Sequence, residues 1–269
     1  MTEHQPTNEG VDLYTPNVAR MYDYWLDGKD NFAVDREAAD ALVSLASEPG
    51  VVRSVRANRE FLGRAVRLCA QAGVTRFLDL GSGLPTQDNV HDVAQQVDAR
   101  SRVVYVDDDP VVCSHGQALL ARDDRVAFIQ GDLRRPGEIL RDPSVVQLIE
   151  PGEPVAVLLV SVLHFVPDAE DPMGVVTTLR DALPSGSRLI LSHLTNDTRR
   201  DEAVQAIKVY EQASSGLVPR TSEEIGHFFD GFEFVEPGLT TVAAWHPDHD
   251  RDRHDAHKFT MLAGVGRKP

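Results

Sequence analysis

Carboxylates and glycines recur at three places where a short aliphatic segment of the sequence ends. Asp79 precedes the loop Gly81–Gly83, Asp107 ends a second aliphatic segment, and Gly131–Leu133 follows a third. Glycines let the backbone turn sharply and approach a ligand closely. Carboxylates accept hydrogen bonds from hydroxyl and amino groups, and they attract ammonium groups. The three places together predict a binding site for a small polar ligand that carries such groups.

Each acidic residue suits a different part of a nucleoside-containing ligand. Asp79 suits an ammonium group, such as the methionyl end of S-adenosylmethionine. Asp107 lies 26 residues after Gly81, where nucleotide-binding folds place the acid that accepts ribose hydroxyls. Asp108 is a further candidate at this position, although Asp108 or Asp109 could instead cap the next helix. Asp132 could accept from an adenine amino group, with the Leu133 amide nearby.

Two familiar glycine loops are excluded by the residues that follow the first segment. A dinucleotide fingerprint requires glycine at position 86, which is Thr86 here, and Asp79 would repel a pyrophosphate. A phosphate-binding loop requires Gly-Lys-Ser/Thr, which does not follow Gly83. An NAD-linked oxidoreductase is therefore disfavoured.

The elements that position these residues alternate in type from residue 74 onward. Strands that are nearly continuous in Val, Leu and Ile, each followed by a helical stretch, predict a parallel doubly wound α/β sheet. Phe232–Val235 and Phe259–Val265 predict an antiparallel pair that closes a seven-stranded sheet with an antiparallel last strand. The five parallel strands are predicted at Arg76–Leu80, Arg102–Val106, Val126–Gln130, Val155–Val160 and Arg188–Ser192.

Three segments of different character make up the predicted organisation. Residues 1–15 are polar and are predicted to form a flexible N-terminus, and residues 16–73 carry helical patterns that predict an N-terminal cap. Residues 74–269 form the ligand-binding domain. Within it, an amphipathic stretch near 198–216 follows the fifth strand, so it could be a lid over the strand ends or an ordinary covering helix.

Composition restricts the partners and the cellular location. The chain has 42 acidic and 27 basic residues, a net charge of −15, which argues against nucleic-acid binding. Its two cysteines, Cys69 and Cys113, cannot form a disulfide-rich scaffold. The longest aliphatic run, Val155–Val160, is too short to span a membrane, and the first residues lack a signal-peptide core. We expect a cytoplasmic protein without a membrane partner, and the oligomeric state stays open.

Residues 74–195 resemble a class I S-adenosylmethionine-dependent methyltransferase. The resemblance is carried by the glycine loop with Asp79, by Asp107, by the Gly131-Asp132 pair and by the Leu-His-x-x-Pro-Asp stretch that begins at Leu163. It implies a Rossmann-like sheet, S-adenosylmethionine as cofactor and an enzyme of class EC 2.1.1.

A narrower resemblance covers nearly the whole chain. Four segments are similar to an actinobacterial methyltransferase family long described as a domain of unknown function: 16–32, 58–61, 210–212 and 245–248. This family implies the fold and the cofactor but supplies no substrate. We therefore expect methyl transfer to a small-molecule acceptor. The alternative is a catalytically silent protein that binds the same cofactor as a regulator or partner.

The sequence assigns no catalytic residue. Methyl transfer depends mainly on alignment of the reactants, and a base is needed only when the acceptor must lose a proton. His164 and Ser161, near the end of the fourth predicted strand, are weak candidates, and His193 is a weaker one.

Cap residues could also reach the cofactor. Tyr22 or Asn31 could touch its methionyl or adenine end, and Arg59 could meet its carboxylate, although each could equally be a structural or surface residue. The predicted cofactor-binding residues are Asp79, Gly81, Ser82, Gly83, Asp107, Asp108, Gly131, Asp132, Leu133, Ser161, Tyr22, Asn31 and Arg59.

A histidine- and aspartate-rich tail is the remaining cluster. Residues 246–257 contain four His and four Asp, but Arg251 and Arg253 lie among them and the spacing lacks a helical pair of ligands. We predict a solvated loop without a metal.

Overall fold

The computed structural model describes residues 12–85, 88–119, 124–149, 152–248 and 255–269, which form an eight-stranded mixed sheet with helices around it. The strands are β1 (Arg76–Leu80), β2 (Arg102–Asp107), β3 (Val126–Gln130), β4 (Val155–Val160), β5 (Arg188–Leu194), β6 (Glu233–Phe234), β7 (Thr240–Thr241) and β8 (Met261–Arg267). Their order is β3-β2-β1-β4-β5-β8-β6, and β7 also pairs with β8.

The direction of the strands confirms the predicted fold class. Strands β1 to β5 pair in parallel, whereas β8 runs antiparallel to β5 and to both β6 and β7. The five predicted parallel strands all occur, with β2 and β5 extended at their ends. The sheet has one strand more than the seven predicted. This additional strand, β7, has only two residues, so the sequence carries no periodic signal for it.

Ten α-helices surround the sheet within the described residues. They are α1 (Val18–Trp25), α2 (Ala33–Leu45), α3 (Gly50–Gln71), α4 (Val90–Val97), α5 (Pro110–Leu119), α6 (Pro136–Ile139), α7 (Pro143–Ile149), α8 (Pro172–Ala182), α9 (Arg200–Tyr210) and α10 (Ser222–His227). Three short 3₁₀ helices lie at Leu163–Phe165, Asp168–Glu170 and Ala256–Lys258. No helix of the described residues is long and apolar enough to cross a membrane.

Alternation along the strands builds a separate core on each face of the sheet. Phe77 packs with α3 residues such as Phe61 on one face, whereas its neighbour Leu78 packs with α8 residues such as Val176 on the other. Because both faces are covered, functional side chains are accessible mainly at the strand ends.

The first two helices are joined by a buried ion pair. Arg20 Nε lies 2.7 Å from Asp35 Oδ2, and the side chains of both residues are almost fully buried. The side chain of Asn17 caps α1 by accepting from the backbone N–H groups of Ala19 and Arg20. The backbone N–H of Asn17 donates to Asp35 Oδ1. These contacts hold α1 and α2 together as one unit.

Helix α9, in the segment predicted as a lid, is attached to the turn between α2 and α3. Glu202 accepts hydrogen bonds from both the amide and the hydroxyl of Ser47, and Arg199 donates to the carbonyl groups of Ser47 and Glu48. The segment therefore contacts the N-terminal helices.

Candidate functional site

A cavity of about 550 Å³ lies at the C-terminal ends of β1 to β4, beneath helices α1, α3 and α9. It brings together most residues that the sequence singles out, including both catalytic candidates, His164 and Ser161. The predicted cofactor residues that line it are Tyr22, Arg59, Asp79, Gly81, Ser82, Gly83, Asp107, Asp108, Gly131, Asp132, Leu133 and Ser161.

Asp79, at the end of β1, is a buried acid in the wall of this cavity. Asp79 is only 5% exposed, and burial raises the pKa of its carboxyl group to about 7. The neighbouring Asp107 carboxylate raises that pKa further, whereas the Arg59 guanidinium lowers it. Burial disfavours the ionised form of Asp79, so a cationic ligand group that binds there would stabilise this form. Arg59, which interacts electrostatically with Asp79, carries the charge that would attract an anionic ligand group.

The glycine loop leaves its ligand side open. Gly81 and Gly83 both have positive φ angles, +67° and +65°. A Cβ atom at Gly81 would lie 2.3 Å from Val162 Cγ2, whereas one at Gly83 would meet no atom within 4 Å. The Ser82 hydroxyl is buried and has no hydrogen-bond partner within the described part of the chain. An unpartnered donor and open space at the loop are what a bound ligand requires.

Asp107 connects β2 to the glycine loop. Its Oδ2 accepts from the Gly83 amide at 2.8 Å and its Oδ1 accepts from the Asp109 amide at 3.1 Å. Burial raises the pKa of Asp107 to about 6, although these backbone hydrogen bonds oppose the shift. Asp107 therefore holds the loop in place and also presents a carboxylate to the cavity.

The alternatives for the helix cap after β2 are now separated. Asp109 Oδ1 accepts from the amides of Val111 and Val112, so Asp109 caps α5. Asp109 Oδ2 accepts from the side-chain amide of Asn17. Asn17 thereby joins the N-terminal helices to the sheet edge, and it lines the cavity without having been predicted from the sequence.

The acid after β3 is bound by an arginine. Asp132 Oδ1 accepts from both the amide and Nε of Arg134, at 2.9 and 2.8 Å. Burial opposes ionisation of Asp132, but the hydrogen bonds from Arg134 outweigh it and lower its pKa. The hydrogen bonds of Asp132 to Arg134 use Oδ1, and Leu133 beside it packs into the core.

A chain of hydrogen bonds joins the cap to the ends of β4 and β5. The Tyr22 hydroxyl donates to Val55 O at 3.3 Å and accepts from Asn58 Nδ2 at 2.9 Å. Asn58 Oδ1 accepts from the Ser192 hydroxyl at 2.6 Å. The Ser192 hydroxyl oxygen in turn accepts from the backbone N–H of Ser161. Asn58 lies in a segment that carries the family resemblance, but nothing in the neighbouring sequence predicts its hydrogen bonds to Tyr22 and Ser192.

Asn31 is the predicted cofactor residue that does not line the cavity. Its side-chain amide donates to Asp23 Oδ2 at 2.9 Å and to Gly28 O at 3.1 Å. Asp23 does line the cavity. The side-chain amide of Asn31 therefore positions Asp23, and a contact between Asn31 and the cofactor stays a prediction.

The catalytic candidates differ in placement. Ser161 follows β4 with a positive φ of 59°, a strained backbone conformation for a residue with a side chain. Its hydroxyl lies 3.5 Å from His164 Nε2. His193 is fully buried outside the cavity lining, where its Nε2 accepts from Arg220 at 2.9 Å. Arg220 also donates to Leu163 O and Val166 O, so it supports the loop that carries His164.

The described part of the tail does not form a metal site. The structure contains no group of three or more His, Cys, Asp or Glu that could hold a metal ion among the residues it describes. Residues 249–254, the middle of the predicted solvated loop, lie outside the described residues.

Sequence comparison extends these observations to the whole chain. A family model described as S-adenosyl methyltransferase matches residues 4–269. The chain has no match among curated proteins.

Two solved structures share the fold over nearly their full length. A DUF574 family protein from Streptomyces avermitilis is 38% identical, with a TM-score of 0.90, over 96% of this chain and 99% of that one. A candidate methyltransferase from Thermobifida fusca is 42% identical, with a TM-score of 0.89, over 99% of each chain.

Proposed function

The chain belongs to the S-adenosyl methyltransferase family, and from that premise we propose that it methylates a small-molecule acceptor. The proposal is supported by one cavity whose wall has a polar part and an apolar part. The strand ends contribute carboxylates and the glycine loop, whereas α1, α2, α3 and α9 contribute apolar side chains. One cavity can therefore hold a polar cofactor and a second, less polar molecule next to each other.

The residues present fit S-adenosylmethionine, the cofactor of the family. Asp79 and Arg59 carry opposite charges and interact electrostatically, which matches the ammonium and carboxylate groups of an amino acid. Asp107 would hold the ribose hydroxyls, and Asp132 with the Leu133 amide would hold the adenine. Ser82, whose hydroxyl is buried without a partner, and Gly83 leave room for the ligand along the loop.

The chain contributes mainly alignment and exclusion of water. S-adenosylmethionine, when bound, supplies a methyl carbon on a positively charged sulfur with a neutral leaving group. The strand-end residues hold the cofactor in one orientation, and the cap restricts the position of the acceptor, which favours an in-line approach. Water is excluded by the apolar side chains from four helices.

The charge of the cavity favours a small molecule over a polyanion. Among the described residues that line the cavity, seven are acidic and four are basic. An acidic lining repels phosphate backbones, in keeping with the net charge of −15.

Calorimetry with S-adenosylhomocysteine, followed by a transfer assay, tests the proposal. We expect stoichiometric binding, and then formation of S-adenosylhomocysteine when S-adenosylmethionine and pools of small molecules are supplied together. Absence of S-adenosylhomocysteine binding would refute the proposal. Binding without transfer to any pool would favour the catalytically silent alternative.

A further inference from the structure

The apolar part of the cavity is continuous with one hydrophobic cluster. We call this part the apolar chamber, and its residues come from the cap, from α9 and from the segments that follow β4 and α9. Because the carboxylates and glycines at the strand ends suit the cofactor, the apolar chamber is the space left for the acceptor. The side chains that define the chamber are Trp25, Leu42, Val55, Phe165, Tyr210 and Leu217.

His164 lies at the edge of the apolar chamber. Its ring contacts the Phe165 ring edge-on, with centroids 4.5 Å apart, and the Phe165 ring lies 5.6 Å from that of Tyr210. His164 lines the cavity although it is only 3% exposed. A ligand in the chamber would therefore meet an imidazole that water scarcely reaches.

The hydrogen bonds around this imidazole determine which nitrogen carries its proton. His164 Nδ1 accepts from the backbone N–H of Leu194 at 3.3 Å. Because a backbone N–H only donates, Nδ1 must present its lone pair, and the neutral ring then carries its proton on Nε2. The Ser161 hydroxyl lies 3.5 Å from Nε2, at the outer limit of a hydrogen bond.

The surroundings also keep the ring neutral. Burial, together with the nearby His193 and Arg220, holds the pKa of His164 well below its usual range. His193 donates from Nδ1 to Leu194 O and accepts at Nε2 from Arg220, so it offers His164 no acceptor. His164 is thus a neutral donor at Nε2, and that nitrogen has no lone pair with which to remove a proton.

A second donor in the chamber has no partner. The indole N–H of Trp25 is buried and has no hydrogen-bond partner among the residues that the structure describes, and Trp25 is 5% exposed. Buried donors are normally paired, and an unpaired one costs stability until a ligand satisfies it. A molecule that complements this chamber must therefore supply hydrogen-bond acceptors.

We propose that the apolar chamber is the acceptor subsite, and that it binds a neutral, ring-containing molecule whose oxygen accepts a hydrogen bond from His164 Nε2. This inference rests on the proposed function, because it names the class of acceptor for that site. The ring packs against the aromatic walls, and Trp25 Nε1 serves as a further donor to such a ligand. The excess of acids around the cavity selects against an anionic ligand. His164 orients the acceptor and does not serve as the base.

Matched probes test the role of the oxygen. The protein is first saturated with S-adenosylhomocysteine, and failure at that step would refute the proposed function instead of this inference. Acetophenone and its oxygen-free isostere α-methylstyrene are then titrated by NMR. We expect acetophenone to bind about fivefold more tightly, which is the effect of one neutral hydrogen bond. Its addition should shift the Trp25 indole signal and leave that of Trp245, the second of the two Trp residues, unchanged.

Two substitutions at His164 separate donation from packing. H164N keeps an acceptor near the Leu194 amide but lacks a donor at the Nε2 position, so it should remove the preference for acetophenone without weakening α-methylstyrene binding. H164Q, which places an amide near Nε2, should restore part of the preference.

The inference would be overturned if the wild-type protein failed to bind either probe or bound both equally. It would equally be overturned if H164N kept the preference for acetophenone. A ¹⁵N spectrum of the wild-type protein tests the tautomer independently of any variant. A proton on Nδ1 of His164 would contradict the inference.

Discussion

Asp79→Asn tests whether the site sacrifices stability in order to bind its ligand. Burial raises the pKa of Asp79 from 3.8 to about 7, Arg59 opposes this shift and Asp107 adds to it. A carboxyl group with a higher pKa in the folded chain binds more protons there than in the unfolded chain. Its contribution to the free energy of unfolding therefore falls as the pH rises from about 4 to about 7.

The size of the effect follows from the two pKa values. Between pH 5 and pH 8, ionisation of Asp79 should lower the stability of the ligand-free wild-type protein by about 2–3 kcal/mol. Asn is neutral at both values of pH. We therefore expect the unfolding free energy of Asp79→Asn, relative to wild type, to increase by about that amount between pH 5 and pH 8.

Urea unfolding followed by circular dichroism at both pH values measures this difference. Asp124→Asn is the matched control, because Asp124 is exposed and is not among the residues that line the cavity. If the difference between Asp79→Asn and wild type stays constant with pH, or if Asp124→Asn shows the same change, the reasoning from burial is refuted.

The same ionisation should control ligand affinity. An ammonium group binds the ionised form of Asp79, so wild-type affinity for S-adenosylhomocysteine should rise about tenfold from pH 6 to pH 8. Near pH 7, binding should release about half a proton, which calorimetry in two buffers of different ionisation enthalpy would detect. Asp79→Asn should bind more weakly and without this pH dependence. A pH-independent wild-type affinity would show that Asp79 does not meet the ammonium group.

Three further substitutions probe the supports of the site, each by urea unfolding. Gly81→Ala should destabilise the protein by about 2–4 kcal/mol, and Val162→Ala in the same chain should recover the steric part, because Val162 occupies the space of the new Cβ. Asp109→Ala should cost about 1–2 kcal/mol and be non-additive with Asn17→Ala, since these side chains share a hydrogen bond. Arg220→Met should cost about 2–3 kcal/mol, because it removes the hydrogen bonds that Arg220 donates to the Val166 carbonyl group and to the buried His193 Nε2.

The sheet and the cofactor edge were predictable because their signals are local. Strands buried on both faces are continuous aliphatic segments, and β1, β3 and β4 occur at the predicted bounds. In a parallel sheet the C-terminal ends of such strands meet at one edge. Asp79, Asp107 and Asp132 therefore had to converge once the strands were recognised, although they are far apart in the sequence.

The contacts of the cap could not be predicted, because they join isolated polar residues across long stretches of chain. Asn17 and Asp109 are 92 residues apart, and Asn58 and Ser192 are 134 apart. A single asparagine in a helical segment has no periodicity that announces its partner. Asn31 illustrates the same limit, because nothing in the sequence indicates that its side-chain amide donates to Asp23, which lines the cavity.

The division between sheet and cap follows from the chemistry that each must perform. Groups that hold a cofactor need fixed charges at fixed spacing, which hydrogen-bonded strand ends provide. Recognition of an acceptor depends on shape, and the apolar chamber that we propose for it is built from side chains as distant in sequence as Trp25 and Leu217. Ser161, His164 and Phe165 follow β4 directly and line the cavity. If the proposed function is correct, the loop after β4 orients the acceptor relative to the methyl group, and Arg220 supports that loop by donating to Leu163 O and Val166 O.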